Sequence, residues 1–417
     1  MKTLVLGAGV IGVASAYYLA RAGHRVQVID RQPGAGLETS FANGGQISAS
    51  HTQPWAGPGT LATAVKWLGR PGSPLRIGFK ADPRLWSWCL SLARNCTAGR
   101  ERVNAERMHR IAHYSLSSLA ELREETAIQY HRLAKGILTF YRQGRELGPA
   151  QARAETFARL GSPYRVLDRA GCIAVEPALA RSETKLAGGI YFPEDESGDA
   201  HAFTDALAGI SAGLGVEFRY GVAVKRLVAE GNRITAVETD AGAFAADAYV
   251  LALGSYSPLL ARPLGLNLPI YPAKGYSVTI PIGDLAAAPE VSLLDDERKL
   301  VYSRLGNRLR VAGMVDIVGY DTSIPGARIA SILEAAKSLF PGLGEAADVE
   351  PWAGLRPKTP DSVPIIGPTP YANLFLNTGH GYLGWTMACG SGRVVADLVG
   401  GKKPGIDMAG LGLDRFA

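Results

Sequence analysis

The sequence predicts an α/β protein of two domains, one built on a parallel βαβ unit and the other of α+β type with an antiparallel sheet. At the N-terminus, the apolar run Thr3 to Leu6 leads through a glycine-rich turn into a helix-compatible stretch that ends near Ala22. Further along, Tyr271 to Ile280 and Leu309 to Val315 are typical of strands, and Ala105 to Glu125 is typical of a helix. The first observation predicts the parallel unit, and the second predicts the α+β domain.

The composition is that of an ordinary globular chain. With 47% hydrophobic and 20% charged residues over 417 positions, the chain can bury a large core, which excludes disorder. Its 50 glycines cluster around turns without a period, which excludes a collagen-like repeat. A net charge of +6 and a pI near 9.1 permit an anionic partner: nucleic acid, an acidic membrane face or an anionic substrate. Charge alone does not choose among the three.

Cysteine usage and apolar stretches indicate where the protein works. The four cysteines have irregular spacing and no CxxC pair, so we expect neither a zinc site nor a disulfide framework, and a reducing compartment. The chain enters a strand at once, so we expect no cleavable signal. The nearly uncharged stretch Val363 to Gly392 holds too many glycines, prolines and polar residues for a spanning helix. We therefore expect a cytoplasmic protein, with a peripheral position on the inner face of the cytoplasmic membrane as the alternative.

The turn after the first strand carries a Rossmann-like fingerprint, Gly7-Ala8-Gly9-Val10-Ile11-Gly12. Gly7 makes the tight turn, Gly9 lets a pyrophosphate approach the backbone, and Gly12 allows the helix to pack closely on the sheet. The helix N-terminus then holds the phosphates. A second strand, Arg25 to Ile29, ends at Asp30, which is placed to accept hydrogen bonds from an adenosine ribose. The unit predicts a dinucleotide site, but it does not separate NAD from FAD because both contain the ADP half.

A polar, glycine-bearing loop follows Asp30 and Arg31 and runs from Glu38 to Ile47, back toward the end of the first strand. Such a loop suits a long ligand, although its residue types also fit a surface loop with helix-capping residues. The loop resembles that of the D-amino acid oxidase-like flavoprotein family in its pattern ETSxxNxGQIS, and the resemblance covers nearly the whole chain. The resemblance implies that the cofactor is FAD.

Three further segments match that family. Asp247 to Ser257 resembles the strand and glycine turn that close the flavin domain, and Val224 stands where backbone groups contact the adenine, although plain sheet core fits Val224 equally well. The run Asn377 to Thr386 precedes a helix-compatible stretch through Leu398, so a second glycine-rich loop opens a helix. In the family this loop lies by the pyrimidine edge of the flavin, where a helix N-terminus stabilises the negative charge of reduced flavin.

We expect non-covalent FAD, because neither Cys172 nor Cys389 falls on the segment that tethers the flavin in related sarcosine oxidases. The chain has no second GxGxxG unit for NAD, so we expect electrons to leave through an acceptor other than nicotinamide. The motif and the resemblance together assign FAD binding to Gly7, Gly9, Val10, Ile11, Gly12, Asp30, Arg31, Thr39, Ser40, Asn43, Gly44, Gly45, Gln46, Ile47, Val224, Gly254, Gly379, Gly381, Tyr382, Leu383, Gly384, Trp385 and Thr386.

The segment Gly354 to Pro364 is dense in glycine and proline, which predicts a rigid, turn-rich loop around Arg356. An arginine fork binds a carboxylate with two charge-assisted hydrogen bonds, and in the family the matching arginine holds the substrate carboxylate. The alternative is an exposed or structural arginine. By resemblance Tyr276, on a strand that starts near Pro272, adds a hydroxyl to this clamp, although a packed core tyrosine fits nearly as well.

Four further side chains are candidates for site residues. His51 follows the flavin loop and is expected to line the site, and Tyr320 is expected to form a lid; ordinary packing explains each of them as well. The family often carries a different residue where His51 stands. His109 and His113 are four apart on a predicted helix, but without an HExxH pattern or a third ligand we expect solvated surface and no metal site.

The resemblance implies a FAD-dependent oxidoreductase acting on CH-NH2 donors: D-amino acids become 2-oxo acids and ammonia, with hydride transfer to flavin N5. Electrons are expected to pass to a membrane quinone or another non-oxygen acceptor. The rivals on the same scaffold are a glycine or sarcosine oxidase and a D-hydroxyproline dehydrogenase. A rival of another class is a flavin-binding structural or tRNA-modifying protein. The Arg356 segment argues against it, so we expect no nucleic-acid partner.

Two expectations concern organisation. We expect a discontinuous FAD-binding domain of residues 1–50, 198–262 and 347–417, with a substrate domain of residues 51–197 and 263–346. We also expect the segment from Trp55 to Trp88 to touch an acidic membrane face, with an aromatic-rich insert bearing a solvated basic face as an equal alternative. Between glycine and proline breaks this segment contains Lys66, Trp67, Arg70, Arg76, Lys80, Arg84 and Trp86.

Overall fold

The structure is a computed structural model that describes residues 1–68, 73–78, 81–343 and 348–416. The strands in these ranges are β1 (Lys2–Leu6), β2 (Arg25–Ile29), β3 (Gln46–Ile47), β4 (Leu75–Ile77), β5 (Ile137–Tyr141), β6 (Arg165–Asp168), β7 (Gly188–Phe192), β8 (Glu196–Ser197), β9 (Glu217–Arg219), β10 (Val224–Glu230), β11 (Arg233–Thr239), β12 (Gly242–Phe244), β13 (Ala248–Leu251), β14 (Tyr271–Pro281), β15 (Ser292–Asp295), β16 (Leu300–Leu305), β17 (Arg308–Ile317), β18 (Glu350–Lys358), β19 (Ile365–Pro368) and β20 (Leu374–Thr378). The helices are α1 (Val10–Arg21), α2 (Thr60–Trp67), α3 (Pro83–Asn95), α4 (Ala98–Thr126), α5 (Leu147–Arg159), α6 (Arg169–Val175), α7 (Ala200–Gly213), α8 (Ser257–Ala261), α9 (Gly326–Leu339) and α10 (Gly384–Val399).

A six-stranded sheet carries the N-terminal βαβ unit, with strand order β19-β20-β13-β1-β2-β9. The five strands from β20 to β9 run parallel, and only β19 pairs antiparallel with its neighbour. The side chains of Leu4, Val5 and Leu6 are all fully buried, as expected for a parallel strand covered on both faces. Helix α1 packs beside α7 and α10 on one face of this sheet. The predicted strands at the N-terminus and at Ala248 are confirmed.

A nine-stranded mixed sheet forms the second layer, with order β18-β14-β17-β16-β15-β5-β7-β6 and β4 added beside β17. Strands β14 and β17 pair antiparallel over seven residue pairs, which confirms the antiparallel sheet expected at Tyr271 to Ile280 and Leu309 to Val315. The helix α9 covers one face of this sheet and closes a hydrophobic core around Phe340. Helix α4 confirms the helix expected near Ala105 to Glu125.

The division into two domains stays a prediction. One strand after residue 347 pairs with the sheet on the other side of the predicted boundary. The six strands of the parallel-type sheet all fall in the segments 1–50, 198–262 and 347–417. Strand β18 also lies after residue 347, yet it pairs with β14 in the nine-stranded sheet. The chain therefore leaves the substrate-side sheet only after β18.

The predicted loop from Gly354 to Pro364 is wrong in its first half, because residues up to Lys358 belong to strand β18. The strand tolerates its prolines because it lies at the sheet edge: Pro351 and Pro357 lack only amide donors that no further strand would use. The turn expected from the proline and glycine content begins after Lys358, where Ser362 adopts a left-handed φ of 71°.

His109 is a second correction. The sequence predicts a solvated side chain, but His109 is only 4% exposed, because Ala49, Phe157 and Leu160 pack around its ring. Its Nδ1 lies 3.1 Å from the Ala49 carbonyl oxygen and its Nε2 lies 2.8 Å from that of Leu160. Burial lowers the pKa of His109. His113 is exposed as expected, and the described residues contain no group of three His, Cys, Asp or Glu side chains that could hold a metal ion.

Candidate cofactor and substrate site

One cavity of about 1170 Å³ connects the glycine turn after β1 with the nine-stranded sheet. Gly9 and Asp30 of the βαβ unit, Thr386 of α10, and Tyr276 and Arg356 of the nine-stranded sheet all line it. The volume exceeds the roughly 300–1,000 Å³ that is typical of small-molecule pockets. A single elongated ligand can therefore reach from the glycine turn to the sheet and still leave the arginine accessible to a second, smaller molecule.

The glycine turn is shaped by two close backbone approaches. Gly7 has a φ of 108°, and a Cβ there would lie 2.7 Å from the Ala252 carbonyl oxygen. A Cβ on Gly12 would lie 1.9 Å from the carbonyl oxygen of Gly7, so α1 can cross the turn only without a side chain at that position. Helix α1 has no acidic residue in its first turn, which leaves its positive N-terminal end available to an anion.

Asp30 ties the end of β2 to the glycine turn. Its carboxylate accepts hydrogen bonds from the amides of Ala8 at 2.6 Å and Gln32 at 2.8 Å, and burial raises its pKa. The neighbouring Arg31 pairs with Glu38 at 2.5 Å and lies 4.1 Å from the ring centroid of Tyr256. Both predicted residues line the cavity, so they are available to the adenosine half of a dinucleotide.

The loop from Glu38 to Ile47 lies against the cavity, between the start of α1 and strand β16. The Ser40 hydroxyl accepts a hydrogen bond from the Val10 amide at 3.0 Å, so Ser40 caps α1, as the helix-capping alternative had it. Asn43 accepts from the Gly45 amide at 2.9 Å, and a Cβ on Gly44 would lie 2.4 Å from a methyl group of Val301. The predicted residues of this loop, except the buried Ile47, line the cavity.

The second glycine loop leads into α10 beside the cavity. Gly379 and Gly381 have positive φ angles of 77° and 57°, and α10 has no acidic residue in its first turn. Two buried atoms in this region lack a hydrogen-bond partner, Asn377 Oδ1 and His380 Nε2, and both side chains line the cavity. Burial lowers the pKa of His380 to about 3, so its ring is neutral. Both atoms are inaccessible to solvent, so they lie behind the cavity wall, and each carries the cost of an unmet buried polar group.

Arg356 extends into the cavity without a carboxylate partner among the described residues. Its Nη1 donates to the Met314 carbonyl oxygen at 2.9 Å, and burial lowers its pKa to about 10. The guanidinium lies flat against the backbone of Gly275, where a Cβ would lie 2.3 Å from the guanidinium carbon. The remaining N–H donors of the Arg356 guanidinium are therefore available to a ligand carboxylate, which is the role predicted for this residue.

The outer edge of β18 is hydrogen-bonded to three segments of the cofactor side. The carbonyl oxygen of Leu355 accepts from the hydroxyls of Thr39 at 2.8 Å and Ser255 at 2.9 Å. The carbonyl oxygen of Pro357 accepts from the Gly381 amide at 3.0 Å. The strand that carries the arginine is thus held by the β14 strand on one side and by the cofactor loops on the other.

Tyr276 and Tyr320 are both engaged elsewhere. The ring of Tyr276 lines the cavity, but its hydroxyl donates to the buried Asp316 at 2.7 Å, and Asp316 also pairs with Arg76 and Arg328. The hydroxyl of Tyr320 donates to the Ser255 carbonyl oxygen at 2.9 Å, and its side chain is not part of the cavity wall. Their roles as carboxylate ligand and lid stay predictions.

A hydrogen-bonded network around His51 joins four residues that sequence patterns did not bring together. The Ser48 hydroxyl donates to the buried Asp195 at 2.5 Å, and the Ser50 hydroxyl also donates to Asp195. Because both hydroxyl protons point at the carboxylate, His51 Nδ1 is the donor to these oxygens, at 2.7 and 2.9 Å. With Nδ1 protonated, His51 Nε2 accepts a hydrogen bond from the Thr139 hydroxyl at 2.9 Å. Asp195 stands 144 residues from His51 and carried no local signal.

The segment from Trp55 to Trp88 is only partly as expected. Trp88 is buried and donates to the Lys358 carbonyl oxygen, Trp55 stacks on Tyr382, and Trp67 lines the cavity, so Trp86 alone of the four is exposed. The expected membrane cations Lys66 and Arg84 are exposed, Arg76 is bound to Asp316, and Arg70 and Lys80 lie outside the described residues. Three of the four tryptophans are not available to a membrane, because their large apolar rings pack in the core or line the cavity.

A glycine turn, the Asp30 carboxylate and an arginine without a carboxylate partner among the described residues thus line one cavity, which suits a protein that binds a dinucleotide beside a smaller anion. A family model described as DAO, FAD dependent oxidoreductase, matches residues 2–398, and the chain belongs to this family. FAD is therefore its cofactor. All four cysteines are free and none lines the cavity, in keeping with non-covalent FAD.

Relatives match the chain over its full length. It is 55% identical to a D-amino acid dehydrogenase of Paramagnetospirillum magneticum and 51% identical to one of Bradyrhizobium diazoefficiens, with 100% of this chain and 99% of each relative covered. Among solved structures, a glycine oxidase from Geobacillus kaustophilus has a TM-score of 0.76 at 25% identity, covering 99% of this chain and 97% of that one. An L-proline dehydrogenase from P. horikoshii, at 19% identity and a TM-score of 0.78, shares the fold over 100% and 97% of the two chains. The predicted family and fold are confirmed.

Proposed function

We propose that the protein is a FAD-dependent dehydrogenase that deaminates D-amino acids to 2-oxo acids and ammonia. The unpaired guanidinium of Arg356, in the cavity that also reaches the glycine turn, is the observation that carries this proposal. The names of relatives that are 55% and 51% identical over the whole chain support the D configuration and the dehydrogenase type. The glycine oxidase structure is less similar in sequence, at 25% identity.

The chain's own residues bind and orient the substrate. Arg356 holds the carboxylate with the fork donors that Met314 leaves free, and Gly275 gives the guanidinium its position. FAD, when bound, accepts the Cα hydrogen with its electron pair. Holding the Cα–H bond over the cofactor is the main catalytic contribution, since a fixed geometry replaces a bimolecular encounter. The imino acid released into water hydrolyses without a protein nucleophile.

His51 is assigned to the ammonium proton that must leave before oxidation. Its unprotonated Nε2 is the acceptor, once the Thr139 hydroxyl that now donates to it gives way, and its Nδ1 faces the oxygens of Ser48 and Ser50, which both donate to Asp195. An imidazolium formed at His51 lies 3.5 Å from the Asp195 carboxylate, which would stabilise its charge.

The substrate class is tested by anaerobic titration of the yellow holoenzyme with single D- and L-amino acids. We expect D-amino acids to bleach the oxidised flavin band and L-amino acids to leave it unchanged. Recolouring should be slow in air and fast with a water-soluble quinone. Bleaching by glycine or sarcosine with rapid recolouring in air would instead identify an oxidase, and bleaching confined to D-hydroxyproline would identify the other sister activity.

We further propose a membrane quinone as the electron acceptor, reached past helix α2. Thr60, Thr63 and Ala64 on α2 line the cavity, while Leu61 and Val65 on the same helix are 46% and 70% exposed. Trp86 and Leu90 of α3 are also exposed, and Lys66 and Arg84 stand among these side chains in the sequence. Exposed apolar residues mixed with cations suit an anionic bilayer surface. No helix in the described ranges is long and apolar enough to cross a membrane.

The membrane proposal predicts that Val65→Glu weakens binding to anionic phospholipid vesicles by roughly tenfold. The change replaces an apolar side chain that contacts the bilayer with a negative charge that anionic lipids repel. Leu214→Glu is the control, because Leu214 is also an exposed aliphatic residue, at 47%, but follows α7. Vesicle sedimentation and the rate with a vesicle-embedded quinone should both fall for Val65→Glu only. The rate with a water-soluble acceptor should not change. Equal vesicle binding by both variants would remove α2 from the interface.

A further inference from the structure

Lys358 is a fully buried lysine whose ammonium has no carboxylate within 4.0 Å among the described residues. Its Nζ donates to the Ser362 hydroxyl at 2.9 Å. The same atom lies 4.3 Å from the ring centroid of Trp55 and 4.6 Å from that of Tyr382. The nearby carboxylate of Asp361 is already paired with Arg415, at 2.7 Å. The ammonium therefore has one hydrogen bond and two ring faces in place of a counter-ion.

Such a group is costly unless a negative charge compensates it. The other fully buried lysine shows the usual solution: Lys274 pairs with Asp321 at 3.0 Å and donates to the Ser323 carbonyl oxygen at 2.9 Å. The aromatic faces around Lys358 offset part of the cost. Burial nevertheless lowers the pKa of Lys358 well below its usual value. An anion supplied from outside the chain would complete this site.

The position of Lys358 indicates which anion. Lys358 stands two residues after Arg356 on β18, so both side chains project from the same face of the strand. It packs behind the second glycine loop, where a Cβ on Gly381 would lie 3.2 Å from Lys358 Cδ and 3.5 Å from Nζ. Gly381 and Tyr382 line the cavity, and the loop opens the positive end of α10. The lysine and the helix therefore favour negative charge at the same end of the FAD cavity.

We propose that Lys358 is an electrostatic positioning residue that stabilises the negative charge of reduced FAD through the loop at Gly381 and Tyr382, and so raises the flavin reduction potential. The coupling is reciprocal: negative charge beside the loop favours the ammonium form of Lys358, and the ammonium form favours that charge. This inference rests on the FAD site and on the redox part of the proposed function, but not on which amino acid is the substrate.

The test is Lys358→Met, which keeps the side-chain length and removes the charge. We expect the variant to retain FAD, to bind sulfite at least tenfold more weakly, and to have a lower two-electron midpoint potential. Sulfite is the probe because it adds to oxidised flavin, leaves a negative charge on it and bleaches its colour without any amino acid. A tenfold change in the reduction equilibrium corresponds to about 30 mV for two electrons.

Two further variants keep the test decisive. Lys358→Arg retains the charge and should preserve most of the sulfite affinity, and Lys274→Met removes the paired buried lysine and should leave both readouts unchanged. If Lys358→Met does not fold, Lys358→Gln, which can still bond Ser362, should show the same losses. Unchanged sulfite affinity and potential in a folded neutral variant would overturn the proposal. Failure of the D-amino acid assay with intact sulfite effects would instead concern the substrate alone.

Discussion

Replacing Arg356 with methionine is expected to raise KM for D-amino acids by a factor of a hundred or more. The fork supplies two charge-assisted hydrogen bonds to the carboxylate, each contributing about 1.5–3 kcal/mol, and tenfold in affinity corresponds to about 1.4 kcal/mol. FAD should remain bound, because Arg356 contacts Met314 and Gly275 and no residue of the glycine turn. Steady-state kinetics and the ratio of flavin to protein provide the measurement.

Two comparisons sharpen this result. Arg356→Lys keeps the charge but loses the planar fork, so its KM should lie between those of the wild type and the methionine variant. Arg21→Met removes an exposed arginine at the C-terminal end of α1 that pairs with Glu125 at 2.6 Å, and should leave KM unchanged. A normal KM in Arg356→Met would show that another group binds the carboxylate, and the substrate class would then have to be assigned anew.

Gly12→Ala is expected to abolish FAD binding. Its Cβ would lie 1.9 Å from the carbonyl oxygen of Gly7, and Gly7 cannot move away because its own φ of 108° and its approach to Ala252 fix the turn. The helix α1 must then shift from the sheet, and its amides leave the pyrophosphate position. The purified variant should be colourless, and its thermal midpoint should not rise when FAD is added.

A matched glycine distinguishes this loss from a general effect of alanine. Gly209 lies inside α7, and a Cβ there would meet no atom within 4 Å. Gly209→Ala should retain FAD and gain up to about 1 kcal/mol of stability, because alanine is the better helix former. Full flavin content in Gly12→Ala would contradict the role assigned to the turn.

Local patterns predicted the parts of the site that short segments form by themselves. The order of strand, glycine turn and helix at the N-terminus depends on fewer than thirty consecutive residues, and the structure reproduces it from Lys2 to Ile29. Arg356, singled out by its glycine- and proline-rich segment and by the family resemblance, lines the cavity, and its role as carboxylate ligand stays a prediction. Its setting was misjudged, since glycine and proline content indicates a turn but does not reveal that β14 pairs with the segment.

Contacts between distant segments could not be predicted from one sequence. Asp195 meets Ser48 and Ser50 only because β8 pairs with β3, and a two-residue pairing leaves no periodic signal. His109 is buried because Ala49, 60 residues before it, and Leu160, 51 residues after it, pack around its ring. Lys358 was passed over for the same reason, because a lysine is expected at the surface until its aromatic neighbours are known.

The hydrogen bonds along both edges of β18 have a consequence for how the enzyme opens. Thr39, Ser255 and Gly381 attach the cofactor loops directly to the backbone beside Arg356. The distance between the substrate-binding arginine and the cofactor loops is therefore set by direct hydrogen bonds to the β18 backbone, and it does not depend on how two separate domains dock. A hinge between the two sheets would have to break these bonds at every turnover. Helix α2 lines the cavity and has no buried side chain, so we expect the substrate to enter and leave past this helix.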